Sequence, residues 1–163
     1  LDREVEELHR RGVRLRFIGE RNHFKPELRA RMDRAEVVTA GNRGLQLSIA
    51  ASYGGRWDLA RAAQRLAERV ARGELDPAQI DEALLHAETC LADLPPPDLF
   101  LRTGGDQRIS NFLLWQLAYT ELCFIDTLWP DLSRDSLHAA FLTFASRERR
   151  FGRTSEQLKE TAP

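Results

Sequence analysis

Several common features are scarce in this sequence, and each scarcity narrows what the chain can be. The 163 residues include only 2 cysteines and 1 methionine. Cys90 and Cys123 have apolar neighbours and no CxxC or histidine-rich surroundings, so we expect small buried thiols in a reducing compartment. No apolar run is long enough to cross a bilayer, and no signal peptide is visible.

The sequence also lacks an excess of charge of either sign. Its formal net charge is −1, from 24 basic and 25 acidic residues. Such a balance provides no overall field to attract nucleic acid or an anionic membrane, so any anion site must be local. Neither GxGxxG nor GxxxxGK[ST] occurs, which leaves a generic nucleotide-binding domain without support.

Strand patterns alternate with helix patterns along the chain. Strands are predicted over 13–19, 44–56, 98–103 and 121–126; helices are predicted over 1–11, 26–40, from the second strand to Gly73, 77–91, 111–120 and after Ser133. This order predicts an α/β fold, a mostly parallel sheet with helices on both faces, in a single Rossmann-like domain. In such folds the ligand site lies beyond the carboxyl ends of the strands.

The helix that ends at Gly73 has a pronounced amphipathic pattern. Its predicted inward stripe consists of Ala60, Ala63, Leu66, Ala67 and Val70. Charged residues occupy the opposite side of the predicted helix, where we expect solvent.

The stretch DLFLRTGGDQRISNFLLWQ (98–116) places two arginines around a glycine turn between apolar segments. Arg102, Arg108, Ser110 and the start of the predicted helix 111–120 would together make a diphosphate site, because guanidinium groups and helix N-termini bind phosphate oxygens. The alternative is a structural ion-pair network that involves a nearby carboxylate. The candidate carboxylates for that network are Asp98, Asp106 and Glu121.

Glu121 has two interpretations of its own. It opens the fourth predicted strand, close in sequence to the two arginines. A carboxylate beside a diphosphate is suited to holding Mg²⁺, whereas a carboxylate beside arginines is also suited to pairing with one of them. Composition alone favours the pairing slightly.

Three segments together carry a family resemblance over nearly the whole chain. They are LHRRGVRLRFIG, LQLSIAASYGGRWDL and PDLFLRTGGDQRISNFLLWQLAYTELCFIDTLWPDLSRDSLHAAFLTFASRERRFG. Their content and order resemble the cis-prenyltransferases of the bacterial undecaprenyl diphosphate synthase type. The series RTGG, R, SNFLLWQ, Y, E and WP is highly specific, and chance similarity is negligible.

The resemblance implies roles for individual residues. The positions that match Arg102, Arg108 and Ser110 bind the diphosphate of isopentenyl diphosphate in the family, and the position that matches Glu121 helps to place Mg²⁺. The family's RxG, here with Arg150 and Gly152, reaches across a homodimer to the partner's diphosphate site.

The resemblance also implies a reaction and its partners. Isopentenyl diphosphate is added repeatedly to an allylic starter, farnesyl diphosphate, with cis double bonds, to make the undecaprenyl carrier of cell-wall sugars. We expect a cytoplasmic homodimer with transient membrane contact for product release and no nucleic-acid partner. The growing chain needs an apolar tunnel, which Leu45, Leu47 and Ile49 would line unless they are ordinary core.

One part of the family pattern is absent from these 163 residues. The family's front third, with its first strand and its Mg²⁺-binding aspartate motif, has no counterpart here, and the chain starts at Leu1 within a helix pattern. We expect the remaining domain over 1–152 and a flexible tail over 153–163. The chain as it stands is expected to make no polyprenyl product, and the alternative function is that of a non-catalytic partner subunit.

Overall fold

The computed structural model describes residues 2–147 of the 163. These residues fall into two compact units, an N-terminal unit up to Leu94 and a C-terminal unit from Pro95 onward. Each unit contains one pair of parallel strands with helix against it. The α/β class with parallel strands, predicted from the alternating patterns, is therefore confirmed.

The N-terminal unit contains most of the regular structure. In chain order it has α1 (Asp2–Arg10), β1 (Arg14–Ile18), α2 (Pro26–Thr39), β2 (Gln46–Ala50), α3 (Gly55–Ala71) and α4 (Glu82–Ala87), with short 3₁₀ turns at Arg21–His23 and Pro77–Gln79. Pro26 begins α2 because its fixed φ suits the first helical turn and its missing N–H is not needed there.

The C-terminal unit is smaller. It has β3 (Leu99–Arg102), β4 (Glu121–Phe124), a 3₁₀ turn at Trp129–Asp131 and α5 (Arg134–Ala145). Ser133 caps α5, as predicted, because its hydroxyl accepts the backbone N–H of Ser136 at 3.1 Å. No helix in the described part of the chain has both the length and the apolar character needed to span a membrane.

The core of the N-terminal unit forms where β1 packs on the first two helices. Val5, Leu15 and Ala35 are buried there, one from each element. β1 and β2 pair in parallel, with Leu15 opposite Leu47 and Phe17 opposite Ile49. The predicted alternation of apolar and arginine residues along β1 gives this strand one face toward the core.

Side chains of α2 cover the edge of β1 that faces away from β2. The backbone N–H of Leu15 donates to Thr39 Oγ1 at 3.0 Å, and that of Phe17 donates to Glu36 Oε1 at 2.6 Å. Arg21 completes the cover by donating to the carbonyl oxygen of Phe17 at 2.9 Å. Because these groups are satisfied, this edge is protected against pairing with another strand.

In the C-terminal unit, β3 and β4 pair in parallel, with Leu99 opposite Glu121 and Arg102 opposite Phe124. The ring of Phe100 lies 6.1 Å from that of Phe124 and 6.2 Å from that of Phe112. This aromatic cluster holds the strand pair beside the segment that follows the glycine turn.

Two predicted helices are wrong in extent or in kind. The helix predicted over 77–91 is a 3₁₀ turn and the short α4, because Ile80 is extended and Asp81 starts a new helix by capping the N–H of Leu84. The helix predicted over 111–120 is a series of turns. Asn111 and Leu113 have φ of +62° and +45°, which a right-handed helix cannot contain.

Candidate functional site

A tight glycine turn follows β3. Gly104 and Gly105 have φ of +85° and +77°, values that favour glycine. Their backbone N–H groups donate to the carbonyl oxygens of Thr127 and Ile125 at 2.9 and 3.0 Å. The turn is therefore fixed to the loop after β4, and it directs the chain back past the end of β3.

This return brings together the three residues predicted to bind a diphosphate. Arg102 Nη1 donates to Ser110 Oγ at 2.6 Å and also to the carbonyl oxygen of Arg108. The side chains of Arg102, Arg108 and Ser110 thus belong to one cluster at the carboxyl end of β3. Such a cluster of guanidinium and hydroxyl groups is suited to phosphate oxygens.

Asp106 lies between the two guanidinium groups. Its Oδ2 accepts from Arg102 Nη2 at 2.6 Å and from Arg108 Nη2 at 2.8 Å. Of the three carboxylates considered as structural partners, Asp106 is the one that forms these pairs; Glu121 instead pairs with Arg147. From the sequence, a cluster of arginines and a structural ion-pair network were alternative interpretations. The structure contains both at this site.

Ser110 holds its position without a following helix. Its φ is +45°, in the left-handed region that non-glycine residues seldom adopt. The predicted contribution of a helix N-terminus to the diphosphate site is consequently wrong, because residues 111–120 form turns.

Glu121 opens β4, as predicted, and has a cationic partner. Its Oε2 accepts from Arg147 Nη1 at 2.9 Å, and the same nitrogen donates to the carbonyl oxygen of Leu122 at 3.1 Å. Across residues 2–147, no group of three His, Cys, Asp or Glu side chains is arranged to hold a metal ion. Glu121 is therefore a single carboxylate rather than part of a complete site in this region.

The two remaining predicted site residues, Arg150 and Gly152, lie outside the described residues, as does the predicted tail over 153–163. Of the predicted tunnel residues, Leu47 packs on the core, while Leu45 and Ile49 are exposed, Leu45 by 67%. β2 thus presents apolar side chains that the N-terminal unit itself does not cover.

Sequence reasoning missed one buried polar group, Asp58 of α3, which is 2% exposed. Its carboxylate accepts from the hydroxyl of Tyr53 and from the backbone N–H of Cys90, both at 2.9 Å. Burial, together with this nearby negative charge, raises the pKa of the Cys90 thiol to about 12. The predicted inward stripe of α3 does not include Asp58, so the helix pattern gave no signal for its burial.

Comparison with known proteins shows the family to which this chain belongs. The profile of the prenyltransferase family described as "Putative undecaprenyl diphosphate synthase" matches residues 1–152. The farnesyl-diphosphate-specific ditrans,polycis-undecaprenyl-diphosphate synthase of Xanthomonas axonopodis pv. citri (strain 306) is 64% identical over 162 residues, and that of Escherichia coli (strain K12) is 54% identical over 162 residues. Each alignment covers 99% of this chain, but only 63% and 64% of those relatives.

Two solved structures resemble the chain in three dimensions. Lavandulyl diphosphate synthase from Lavandula x intermedia, in complex with dimethylallyl diphosphate, superposes with a TM-score of 0.87 at 35% identity, over 91% of this chain and 65% of that one. A probable undecaprenyl diphosphate synthase from Campylobacter jejuni gives a TM-score of 0.80 at 35% identity, over 93% and 69%. The strand pairs, the arginine–serine cluster and these matches agree: the chain belongs to the undecaprenyl diphosphate synthase family of prenyltransferases.

Proposed function

We propose that this chain carries the isopentenyl diphosphate site of an enzyme that condenses isopentenyl diphosphate onto an allylic diphosphate. The observation that carries the proposal is the convergence of Arg102, Arg108 and Ser110 at the carboxyl end of β3. Farnesyl diphosphate is the starter we propose, because the relatives from Xanthomonas and Escherichia coli are specific for it. The chain spans about 63% of the length of such relatives, so the activity belongs to the complete catalytic unit.

The reaction requires the site to bind one diphosphate while another departs. The bond between the allylic carbon and its diphosphate oxygen breaks, and the electron pair leaves with the diphosphate. The terminal methylene carbon of isopentenyl diphosphate forms the new carbon–carbon bond, and a proton is then lost to give a cis double bond. Arg102, Arg108 and Ser110 would bind and orient the incoming diphosphate, which lowers the entropic cost of bringing the reactants together.

Mg²⁺ would assist this chemistry by neutralising diphosphate charge. Proteins commonly hold Mg²⁺ through one or two carboxylates together with phosphate oxygens. We propose that Glu121 supplies one such carboxylate, whose Oε2 accepts from Arg147 Nη1 at 2.9 Å. The described residues do not assemble the rest of a metal site, and we assign no reaction step to the metal.

The apolar product needs a wall of apolar side chains. Leu45, which precedes β2, and Ile49 of β2 are exposed and are suited to contact the growing hydrocarbon chain. An undecaprenyl product would act as a lipid carrier in cell-wall synthesis. We accordingly propose that the enzyme works in the cytoplasm, with transient membrane contact when the product is released.

We also propose that the protein acts as a homodimer, with Arg150 and Gly152 reaching the diphosphate site of the partner. Support comes from the C-terminal unit, where large apolar residues are exposed, among them Trp129 at 74%. Exposed apolar surface of this kind marks sites of association. The other exposed large apolar residues described in this unit are Tyr119, Leu122, Leu128, Phe141 and Leu142.

Calorimetric binding of isopentenyl diphosphate to the full-length protein tests the proposed site. Arg102→Ala removes charge-assisted hydrogen bonds and should weaken binding by roughly ten- to hundredfold, and Arg108→Ala by roughly tenfold. Arg72→Ala is the matched control, because Arg72 pairs with Glu74 at an exposed position of the N-terminal unit. Affinities within twofold of the wild type for both site variants would refute the proposal.

The second candidate function is that of a non-catalytic partner subunit in a prenyltransferase complex. Retention of the arginine–serine cluster and Glu121 favours the enzyme, because a scaffold has no use for a diphosphate site. Incorporation of labelled isopentenyl diphosphate by the full-length protein alone would support the enzyme. Incorporation only after a second, different subunit is added would support the partner.

A further inference from the structure

Asp106 occupies the position that a ligand oxygen would take between the two arginines. One oxygen atom, Oδ2, lies 2.6 Å from Arg102 Nη2 and 2.8 Å from Arg108 Nη2. A phosphate oxygen bound by both guanidinium groups would need the same hydrogen bonds. The carboxylate and a bound diphosphate therefore compete for the same donors.

The three side chains differ in how firmly they are held. Arg102 is 22% exposed and donates to three acceptors, those of Asp106, Arg108 and Ser110. Asp106 is 40% exposed, and Arg108 is 67% exposed with Asp106 as its ion-pair partner. Arg102 is thus fixed by the loop, whereas Asp106 and Arg108 have room to turn toward solvent.

We propose that Asp106 is an internal counter-ion that isopentenyl diphosphate must displace, so that this residue limits the affinity of the site. The proposal rests on the function proposed above. In the empty site, Asp106 separates two guanidinium groups that would otherwise repel each other. When the diphosphate binds, the carboxylate rotates into solvent and leaves both arginines to the ligand.

This exchange lowers the apparent affinity of every anion that needs both arginines. The free energy needed to move the Asp106 carboxylate away is the same whichever anion replaces it, so it weakens the binding of isopentenyl diphosphate and of inorganic phosphate by the same factor. Removing the charge of Asp106 should therefore improve the binding of both ligands.

The experiment measures dissociation constants of isopentenyl diphosphate and inorganic phosphate by calorimetry with the full-length protein. Asp106→Asn keeps the shape and removes the charge. It should bind isopentenyl diphosphate about three- to tenfold more tightly than the wild type, and inorganic phosphate more tightly by a similar factor. Asp106→Glu restores the charge and should stay within about twofold of the wild type. Asp33→Asn is the matched control, because Asp33 pairs with Arg21 at an exposed position of the N-terminal unit.

The outcomes separate this inference from the proposed function. Suppose that the wild type binds isopentenyl diphosphate and that Asp106→Asn binds it equally well or more weakly. Asp106 then only stabilises the loop, so the inference is wrong, while the proposed function stands. If neither protein binds, both are wrong. A crystal structure of the wild type with pyrophosphate gives a check that does not depend on the variant's folding: Asp106 should have left both arginines, and its persistence within 3 Å of each would overturn the inference.

Discussion

At the scale of single residues, Thr39 provides a hydrogen bond to β1 that a neighbouring strand would otherwise provide. It is fully buried, its hydroxyl accepts the backbone N–H of Leu15 at 3.0 Å and it donates to the carbonyl oxygen of Ala35 at 2.8 Å. A single hydroxyl thus satisfies the strand edge and attaches it to α2.

Replacing Thr39 tests this connection. Thr39→Val keeps the shape but leaves the N–H of Leu15 buried without a partner, so we expect a loss of about 1–3 kcal/mol in the free energy of unfolding. Thr39→Ser keeps both hydrogen bonds and should lose less. Urea denaturation of the two variants makes the comparison, and equal stability would show that the hydroxyl is unimportant.

Cys90 offers a second test at this scale. Because burial and the Asp58 carboxylate raise the pKa of its thiol to about 12, little thiolate exists at pH 8. The thiolate is the reactive form, so Cys90 in a Cys123→Ser variant should react with iodoacetamide at least about tenfold more slowly than an ordinary thiol. The same protein unfolded in urea serves as the control, and equal rates in the two states would contradict the prediction.

At the scale of elements, the end of β1 lies very close to the chain that leaves β2. Gly19 has a φ of +119°, and a Cβ built on it would lie 2.1 Å from the carbonyl oxygen of Ala51. The backbone hydrogen bonds from Ala51 to Ile18 and from Glu20 to Ser52 hold the two segments together there. Only glycine fits this approach without movement of the backbone.

Gly19→Ala should therefore destabilise the fold by at least about 2 kcal/mol, because both the backbone angle and the contact are unfavourable. Gly41→Ala is the control, since a Cβ at Gly41 meets no atom within 4 Å and its φ is not in the left-handed region. Thermal unfolding of both variants gives the comparison. Similar melting temperatures for the two variants would mean that the backbone at the end of β1 moves at little cost to accommodate the added Cβ.

The burial of α3 differs from its predicted inward stripe. Leu66 is buried as predicted, but Ala60, Ala63 and Ala67 are exposed, whereas Ala62 has no exposed surface. The predicted face is thus rotated by about one residue. Alanine is a weak guide because it is accommodated on either face of a helix. Asp58, which accepts hydrogen bonds from Tyr53 and Cys90, lies on the buried side of α3 together with Ala62 and Leu66.

At the scale of the whole molecule, stability should depend on pH through surface ion pairs. Arg16 donates to both carboxylate oxygens of Asp93 at 2.8 Å, and this hydrogen bonding lowers the pKa of Asp93 below its usual value. A lowered pKa in the folded state contributes stability above the unfolded pKa of about 3.9. That contribution is lost as the pH falls through the folded pKa.

Asp93→Asn should accordingly cost about 0.2–1 kcal/mol at pH 7, the range of exposed ion pairs. The difference from the wild type should shrink below about pH 4, as Asp93 becomes protonated. Urea denaturation at several pH values measures both effects. A difference that stays constant down to pH 2 would assign the loss to something other than the carboxylate charge.

Catalysis is the other property of the whole molecule. A polypeptide of these 163 residues should incorporate no labelled isopentenyl diphosphate, because the family's aspartate motif is not among them. A polypeptide that also contains such a motif should make product. Turnover by the 163 residues alone would contradict this prediction.

Local patterns were enough for the class of fold and for most of its elements. Alternation predicted β1, an apolar run predicted β3, and Pro26 and Ser133 marked the starts of α2 and α5. Such signals are reliable because they depend on a residue and its near neighbours. They failed at 111–120, where an apolar segment looked like a buried helix but contains left-handed backbone.

The sequence by itself determined the family, the parallel α/β class and the residues that gather at the end of β3. Only the tertiary structure decided that Asp106 stands between Arg102 and Arg108, and that Glu121 pairs with Arg147. The physical reason is that the partner of a charged side chain depends on the path of the folded chain. Glu121 and Arg147 are 26 residues apart in sequence, and Asp106 meets both arginines because the glycine turn directs the chain back past the end of β3.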